Sequence, residues 1–181
     1  MKIKKELPQF LGQKALIVAT GEHEANLYTA RTGIIEKVGH VRVTEPIYSD
    51  REGMFRSRTK RGKRAMTLRT GSPVEGKKQK MRTEFLKKLA AEIKKVDGKK
   101  DTSIIYLFSP LPIRNELYSA LLKRHQELIM GEFEGNHTRR GPFGLLELIQ
   151  KDQRRVGALI KEKMETRERP EVKKLLRKGI K

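Results

Sequence analysis

The sequence predicts an α/β fold in which helices pack on a mixed β-sheet. Three observations support this: alternating apolar runs fill residues 14–45, a continuously apolar run occupies 103–108, and apolar residues recur at helical spacing before and after it. The 181 residues, with a mass of 20.9 kDa, fit one domain of ordinary size. We therefore predict a single domain over residues 1–150, with residues 151–181 as a helical extension and tail.

The first elements are predicted to form an antiparallel meander. Residues 14–19 (KALIVA) and 25–30 (ANLYTA) alternate well enough to pair as two strands, with a hairpin turn over 21–23. Alternation continues through 34–45, where Gly33 and Gly39 mark interruptions, and Pro46 ends the block. Residues 51–76 have no sustained apolar period, so they are predicted to form a long exposed loop.

The later elements are predicted to alternate between helices and strands. A helix follows from residue 77 to about 96, with apolar residues on one side and lysines opposite. Residues 103–108 (SIIYLF) predict a strand buried on both faces, and 128–133 (LIMGEF) predict another. Between them lies a predicted helix over 113–125, whose inward residues are Leu117, Leu121 and Leu122. A last helix is predicted to begin near residue 143 and to continue through Val156, Leu159 and Ile160.

The positive charge of the chain is concentrated in two segments. The formal net charge is +20, from 42 lysines and arginines against 22 aspartates and glutamates. Residues 51–82 hold twelve basic and two acidic residues, residues 151–181 hold twelve basic and five acidic ones, and the remainder is close to neutral. Two basic segments on a nearly neutral body favour binding to a nucleic acid, since phosphates neutralise such charge.

The segment 51–82 has the composition of an RNA-binding segment. Guanidinium groups pair with phosphates and stack on unpaired bases, and glycines at 53, 62 and 71 allow an irregular path. No helix-turn-helix or basic zipper pattern is visible, which favours RNA over duplex DNA. The candidate RNA-binding residues are Arg51, Arg56, Arg58, Lys60, Arg61, Lys63, Arg64, Arg69, Lys77, Lys78, Lys80, Arg154, Arg155, Lys173, Lys174, Arg177 and Lys178.

Other chemistry is not favoured by the sequence. The absence of cysteine excludes a disulfide scaffold, a thiolate zinc site and a cysteine nucleophile. The acidic candidates for a metal-dependent nuclease are better explained as turn residues or as partners of nearby arginines; they are Asp50, Glu52, Asp97 and Asp101. The four histidines have no metal-ligand spacing and are predicted to be surface or turn residues. We predict no metal, no cofactor and no catalytic residue.

The order of elements resembles a family of translation factors. The segments KALIVATGEHEANLYTARTGIIEKV, KQKMRTEFLKKLAAEI, SIIYLFSPLPIRNELYSAL and LIMGEFEGNHTRRGPFGLLELI follow one another as in the middle domain of the archaeal and eukaryotic class-1 release factor and its relative Pelota. The bacterial host-attachment protein family looks like a stand-alone version of that domain. The resemblance covers residues 14–150 and implies a release-factor-like fold whose long loop enters a ribosomal RNA cleft.

One motif of that family is missing. The family's loop carries a Gly-Gly-Gln tripeptide that promotes hydrolysis of peptidyl-tRNA, whereas the nearest approach here, residues 76–79, reads GKKQ. The resemblance therefore implies a cytoplasmic, non-hydrolytic, ribosome-associated factor of hibernation, rescue or quality control. Its expected partners are ribosomal RNA and the ribosome, then tRNA, with no membrane. The alternatives are a resident structural protein of the ribosome and a residual peptidyl-tRNA hydrolase that uses Gln79.

Overall fold

The structure of the protein is a computed structural model that describes residues 1–44 and 73–168. Within the helices, the side chains of 73–75, 77 and 160–168 are outside this description. Most of the predicted basic loop and the end of the predicted tail, beyond 168, also lie outside the described residues.

The sheet has five strands in the order β3-β2-β1-β4-β5. The strands are β1 (Lys14–Thr20), β2 (Glu24–Arg31), β3 (Ile34–Arg42), β4 (Ile104–Ser109) and β5 (Ile129–Glu134). β1, β2 and β3 pair antiparallel in sequence, whereas β4 lies parallel to β1 and β5 lies parallel to β4. This arrangement confirms the predicted mixed sheet with an N-terminal meander.

Four helices are described: α1 (Pro73–Val96), α2 (Leu111–Ala120), α3 (Lys123–Glu127) and α4 (Pro142–Glu168). The helix predicted from residue 77 begins earlier, at Pro73, so the predicted loop over 51–76 was too long at its end. Proline is well suited to a first helical turn because its missing N–H would be unpaired there anyway.

The single helix predicted over 113–125 is two helices. Leu121 and Leu122 separate them, with extended backbones at ψ 150° and ψ 147°. In an extended chain, successive side chains point to opposite sides. Leu121 is therefore buried while Leu122 is 50% exposed, and the prediction that Leu122 faces inward was wrong.

The sheet is covered on both faces, so the core has two halves. On one face, α1 packs on β2 and β3 with α2 beside it, and Phe85, Leu89, Ile113 and Leu117 lie in one buried cluster with residues of β1 and β4. On the other face, α4 contributes Leu145, Leu146 and Ile149, together with Ile3, Leu7 and Phe10 of the N-terminal segment. The full burial of β4 follows from this double cover and agrees with its continuously apolar sequence.

The N-terminal segment was not predicted to belong to the core. The amide of Ile3 donates to the carbonyl of Gly33 at 2.7 Å, and the amide of Gly33 donates to Gln9 at 2.8 Å. Thr32 and Gly33 both have positive φ, at 48° and 74°, as the tight β2–β3 hairpin requires. The segment thus docks against the β2–β3 hairpin, which lies at the end of the sheet where β1 begins.

The parallel strands define two edges of the sheet. We call the edge where β1 and β4 begin the amino edge, and the edge where they end the carboxyl edge. The two long helices extend past the sheet at opposite edges. α1 ends at the amino edge, where residues 97–103 lead into β4. At 24 residues it is about 36 Å long, so its first turns lie at or beyond the carboxyl edge. α4 runs from the carboxyl edge to the amino edge, where Gln150 donates to the carbonyl of Glu6.

No helix in the described parts of the chain is long and apolar enough to cross a membrane.

Candidate nucleic-acid interface

A groove of about 630 Å³ lies at the carboxyl edge. It is lined by the β1–β2 turn, the end of β3, the start of α2 and the β5–α4 turn; the lining residues are Gly21, Glu22, His23, Glu24, Arg42, Val43, Thr44, Pro110, Asn136, Thr138 and Arg139. The carboxyl ends of parallel strands are a frequent place for ligand sites in α/β folds. The described chain leaves the sheet at Thr44, beside this groove, and the basic segment follows.

Hydrogen bonds from the buried side chain of Asn26 and within the turn hold the β5–α4 turn against the sheet. The side-chain amide of Asn26, which is only 5% exposed, donates to the carbonyl of Thr138 at 2.9 Å. His40 Nδ1 donates to Oδ1 of Asn26 at 3.0 Å and fixes the orientation of the amide. Oδ1 of Asn136 accepts from both the amide and the hydroxyl of Thr138. The turn is therefore fixed relative to β2 and β3, which form the facing wall of the groove.

The β1–β2 turn approaches this region closely. A Cβ atom at Gly21 would lie 3.0 Å from Nδ2 of Asn136, which is tighter than most contacts that Cβ atoms make in proteins. Glycine at this position therefore lets the two turns meet.

Two arginines, one on each wall of the groove, are unpaired. Arg42 and Arg139 are exposed and have no ion pair with any residue in the described ranges. Glu24 is the cross-strand partner of Arg42, and cross-strand partners lie side by side on one face. Even so, their charged groups are more than 4 Å apart, since no salt bridge joins them. The groove thus presents two guanidinium groups, the half-buried carboxylate of Glu24 and the exposed carboxylate of Glu22, which lies 3.9 Å from Nε2 of His23.

A row of lysines follows the solvent face of α1. Lys80, Lys87 and Lys94 are exposed and seven residues apart, which places them on one side of the helix at intervals of about 10.5 Å. None of the three forms an ion pair with a described residue. The neighbouring lysines differ, because Lys88 pairs with Glu84 at 2.7 Å and Lys95 with Glu92 at 3.2 Å.

The structure separates the sequence-predicted RNA-binding residues into two groups. Lys78 and Lys80 are exposed in the first turns of α1, near the carboxyl edge. Arg154 and Arg155 are exposed on the part of α4 beyond the amino edge. The backbone of Lys77 belongs to α1, but its side chain is outside the description. The remaining predicted residues lie outside the described residues; they are Arg51, Arg56, Arg58, Lys60, Arg61, Lys63, Arg64, Arg69, Lys173, Lys174, Arg177 and Lys178.

The histidine prediction was wrong at one position. His125 is 2% exposed, and its Nε2 lies 3.1 Å from Oδ2 of Asp97, which is itself 4% exposed. The sequence around His125 gave no sign of this contact, because the partner comes from the end of α1. Asp101 forms an ion pair with Lys14 at 2.8 Å. In the parts of the chain that the structure describes, no three histidine, aspartate or glutamate side chains cluster as metal ligands.

Sequence reasoning missed Arg42, Arg139, Lys87 and Lys94. Arginines at the end of a strand and in a turn have no distinctive sequence signal, and only the fold brings them to one groove. The seven-residue spacing of Lys80, Lys87 and Lys94 is visible in the sequence and could have indicated the lysine row. That these lysines form no ion pairs is visible only in the structure, because it depends on where the neighbouring glutamates lie.

Comparisons with known proteins gave likenesses to solved structures only. No protein-family model and no curated protein matches the sequence. The chain is similar to an archaeal translation termination factor, aRF1, with 12% identity and a TM-score of 0.46 over 84% of this chain. It is similar to a structure described as an archaeal protein, with 13% identity and a TM-score of 0.43 over 84% of this chain. It is also similar to Dom34 of S. cerevisiae, a translation termination-like factor involved in RNA quality control, with 10% identity and a TM-score of 0.37 over 81% of this chain.

The chain spans about two-fifths of each of those proteins: 41% of the termination factor, 40% of the second archaeal protein and 38% of Dom34. At these identities, the likeness concerns the arrangement of helices and strands. The described fold itself, a five-stranded mixed sheet between helices, rests on the strand pairing given above.

Proposed function

We propose that this protein is a cytoplasmic, ribosome-associated RNA-binding protein that acts as a non-hydrolytic translation factor. The observation that carries the proposal is the unpaired positive charge along α1 and at the carboxyl edge. The α1 lysine row begins near this edge, Arg42 and Arg139 flank the groove there, and β3 ends at Arg42, a few residues before the strongly basic segment 51–82.

Unpaired charge is the feature that favours a polyanion over an ordinary solvated surface. Each phosphate contact releases condensed counterions, so several free cations on one surface give strong, salt-dependent binding. Lysines paired to glutamates, such as Lys88 and Lys95, contribute less because their charge is already compensated. The release-factor-like order of elements supports ribosomal RNA as the RNA concerned, and hibernation, rescue or quality control as the process.

The proposed absence of hydrolysis follows from the sequence. The segment GKKQ at 76–79 lacks the Gly-Gly-Gln tripeptide of the family it resembles. Gln79 is an exposed residue of α1, and its carbonyl accepts a hydrogen bond from the hydroxyl of Thr83 at 2.9 Å. A glutamine within a regular helix is held differently from one at the tip of a loop.

Sedimentation through a sucrose gradient tests the proposal. We expect the protein in a cell lysate to migrate with ribosomes at low salt and to be released at high salt. The triple variant Lys80→Glu, Lys87→Glu, Lys94→Glu should stay at the top of the gradient. Lys4→Glu, Lys5→Glu, Lys99→Glu is the control, because it makes the same charge change at exposed positions away from the groove.

The alternatives give different results. A resident ribosomal protein would remain with ribosomes at high salt, in stoichiometric amounts under all growth conditions. A residual hydrolase would release peptide from stalled complexes, and this release would fall on Gln79→Ala. A wild-type protein that stays at the top of the gradient at low salt would refute the proposal.

A further inference from the structure

The groove at the carboxyl edge carries more chemistry than an attachment point for a basic loop. Its volume of about 630 Å³ lies within the range of small-molecule sites, which is about 300–1,000 Å³. It has an arginine on each of two walls and two carboxylates, of which Glu22 pairs with His23 and Glu24, beside Arg42, is unpaired among the described residues. This combination suits a ligand that is anionic at one end and rich in hydroxyl groups at the other.

We propose that the groove holds one ribonucleotide of a bound RNA strand. The phosphate lies between the guanidinium groups of Arg42 and Arg139, and the carboxylate of Glu24 accepts hydrogen bonds from the ribose hydroxyls. The inference deepens the proposed function, on which it rests for the identity of the polymer, by assigning a site that distinguishes RNA from DNA.

The arginines fit the phosphate because they are free and come from different elements. Arg42 is the last residue of β3, and Arg139 belongs to the β5–α4 turn that faces it. A guanidinium group presents several N–H donors in a fixed plane that matches phosphate oxygens. Neither arginine has to break an ion pair with a described residue before it binds.

Glu24 fits the ribose for a related reason. It is half-buried at the start of β2, and its carboxylate forms no hydrogen bond or ion pair with a described residue. An ionised carboxylate only accepts hydrogen bonds. Near a phosphate it repels the ligand, unless a donor group of the ligand forms a hydrogen bond with it. The 2′-hydroxyl is such a donor, and it is the group that separates RNA from DNA.

The site is also preorganised. The hydrogen bonds that join His40, Asn26 and Thr138 fix the turn that carries Arg139 before any ligand arrives. Asn136 uses Oδ1 within the turn, which leaves its Nδ2 group as a further donor beside the groove. A site held in advance binds more tightly, because less conformational freedom is lost on binding.

Fluorescence anisotropy with the full chain tests the selectivity. The probes are a labelled single-stranded RNA hexamer and a DNA hexamer of the same sequence, at one fixed salt concentration. We expect the wild-type protein to bind the RNA about five-fold more tightly, the factor expected from one hydrogen bond. Glu24→Ala should remove this preference without weakening DNA binding. Glu36→Ala, at an exposed position of β3, is the control and should retain the preference.

A second pair of variants tests the phosphate contacts. Arg42→Gln with Arg139→Gln should weaken binding to both hexamers about a hundred-fold, because each substitution removes a charged hydrogen bond to the phosphate that is worth about ten-fold. Arg31→Gln with Arg140→Gln removes the same charge from exposed arginines that do not line the groove, and should cost less than two-fold.

Nuclear magnetic resonance of the wild-type protein gives a test that does not depend on whether a variant folds. On addition of the RNA hexamer to 15N-labelled protein, we expect the amide signals of Asn136 and Thr138 to shift more than with inorganic phosphate alone. Equal shifts would mean a phosphate site without recognition of ribose and would overturn the proposal. Equal affinity for RNA and DNA would also overturn the proposal of a ribonucleotide site. The proposed function would still be decided separately, by ribosome sedimentation.

Discussion

At the scale of single residues, Asp97 joins three parts of the fold. It follows the last turn of α1, and its carboxylate accepts hydrogen bonds from the amide of Thr102 and from Arg124 and His125. Burial raises the pKa of Asp97, but the hydrogen bonds from Thr102 and His125 and the charge of Arg124 outweigh it. The pKa therefore lies below its usual value, and the carboxylate stabilises the folded state.

We expect Asp97→Asn to lower the free energy of unfolding by about 2 kcal/mol, since it removes charged hydrogen bonds in a buried place. Urea unfolding followed by circular dichroism measures this loss. Asp101→Asn is the matched control, because the Lys14–Asp101 pair is partly exposed and should contribute less than about 1 kcal/mol. Equal losses in the two variants would contradict the assignment.

The same carboxylate predicts a pH dependence. Because the pKa of Asp97 is lower in the folded protein than in the unfolded chain, its contribution is complete above the unfolded pKa, about 4. It is lost as the pH falls below this value toward the folded pKa. As the pH is lowered from 5 to 3, it passes the unfolded pKa of about 4. Over this range we expect the urea midpoint of the wild-type protein to fall more steeply than that of Asp97→Asn. Parallel curves would contradict the prediction.

At the scale of elements, the two sides of α1 have separate roles. Its inner side packs on the sheet through Phe85 and Leu89, which are fully buried. Its outer side carries the lysine row, in which Lys87 and Lys94 are unpaired while the adjacent Lys88 and Lys95 are compensated by glutamates. The helix therefore offers two pairs of lysines that are equal in charge and spacing, lie about 100° apart around the axis and differ in pairing.

This difference predicts unequal effects on RNA binding. The slope of log affinity against log salt changes by about 0.7 for each phosphate of a single strand that the protein neutralises. We expect Lys87→Gln with Lys94→Gln to reduce the slope by about 1.4 for a single-stranded RNA, because two phosphates are then no longer neutralised. Lys88→Gln with Lys95→Gln should change it by less than half as much. Affinity measured between 50 and 300 mM salt compares them, and equal slopes would show that ion pairing does not select the contact surface.

At the scale of the whole molecule, the described RNA-binding residues that the sequence predicted lie at two ends. Lys78 and Lys80 are in the first turns of α1 near the carboxyl edge, whereas Arg154 and Arg155 are on α4 beyond the amino edge. Since β1 has seven residues, these edges are separated by about 23 Å of strand. One short stretch of RNA therefore cannot easily contact both groups, and we expect them to bind separate segments.

Separate binding predicts that the two effects multiply. Lys78→Gln with Lys80→Gln, and Arg154→Gln with Arg155→Gln, should each weaken ribosome binding by about three-fold to ten-fold. The quadruple variant should show the product of the two factors, since distant and independent sites have additive free energies. A pelleting assay over a range of ribosome concentrations measures this. A reduction well below the product would mean that both groups contact the same RNA element.

Most of the fold could be predicted because local patterns and long-range packing agree. Alternation identifies β1, β2 and β3, and the continuously apolar run of β4 identifies a strand covered on both faces. The prediction was wrong where local and tertiary demands differ. A helical apolar pattern runs through Leu121 and Leu122, but the chain turns there into an extended conformation to reach β5.

The sequence by itself determined the strand and helix types, the mixed sheet and the concentration of charge, because apolar spacing and charge counts are properties of neighbouring residues. Only the tertiary structure decided which residues form the candidate site. Glu24, Arg42 and Arg139 line one groove because antiparallel pairing places β2 beside β3 and a buried amide holds the β5–α4 turn against them. Contacts between residues more than a hundred positions apart depend on how the whole sheet closes, and no local pattern encodes them.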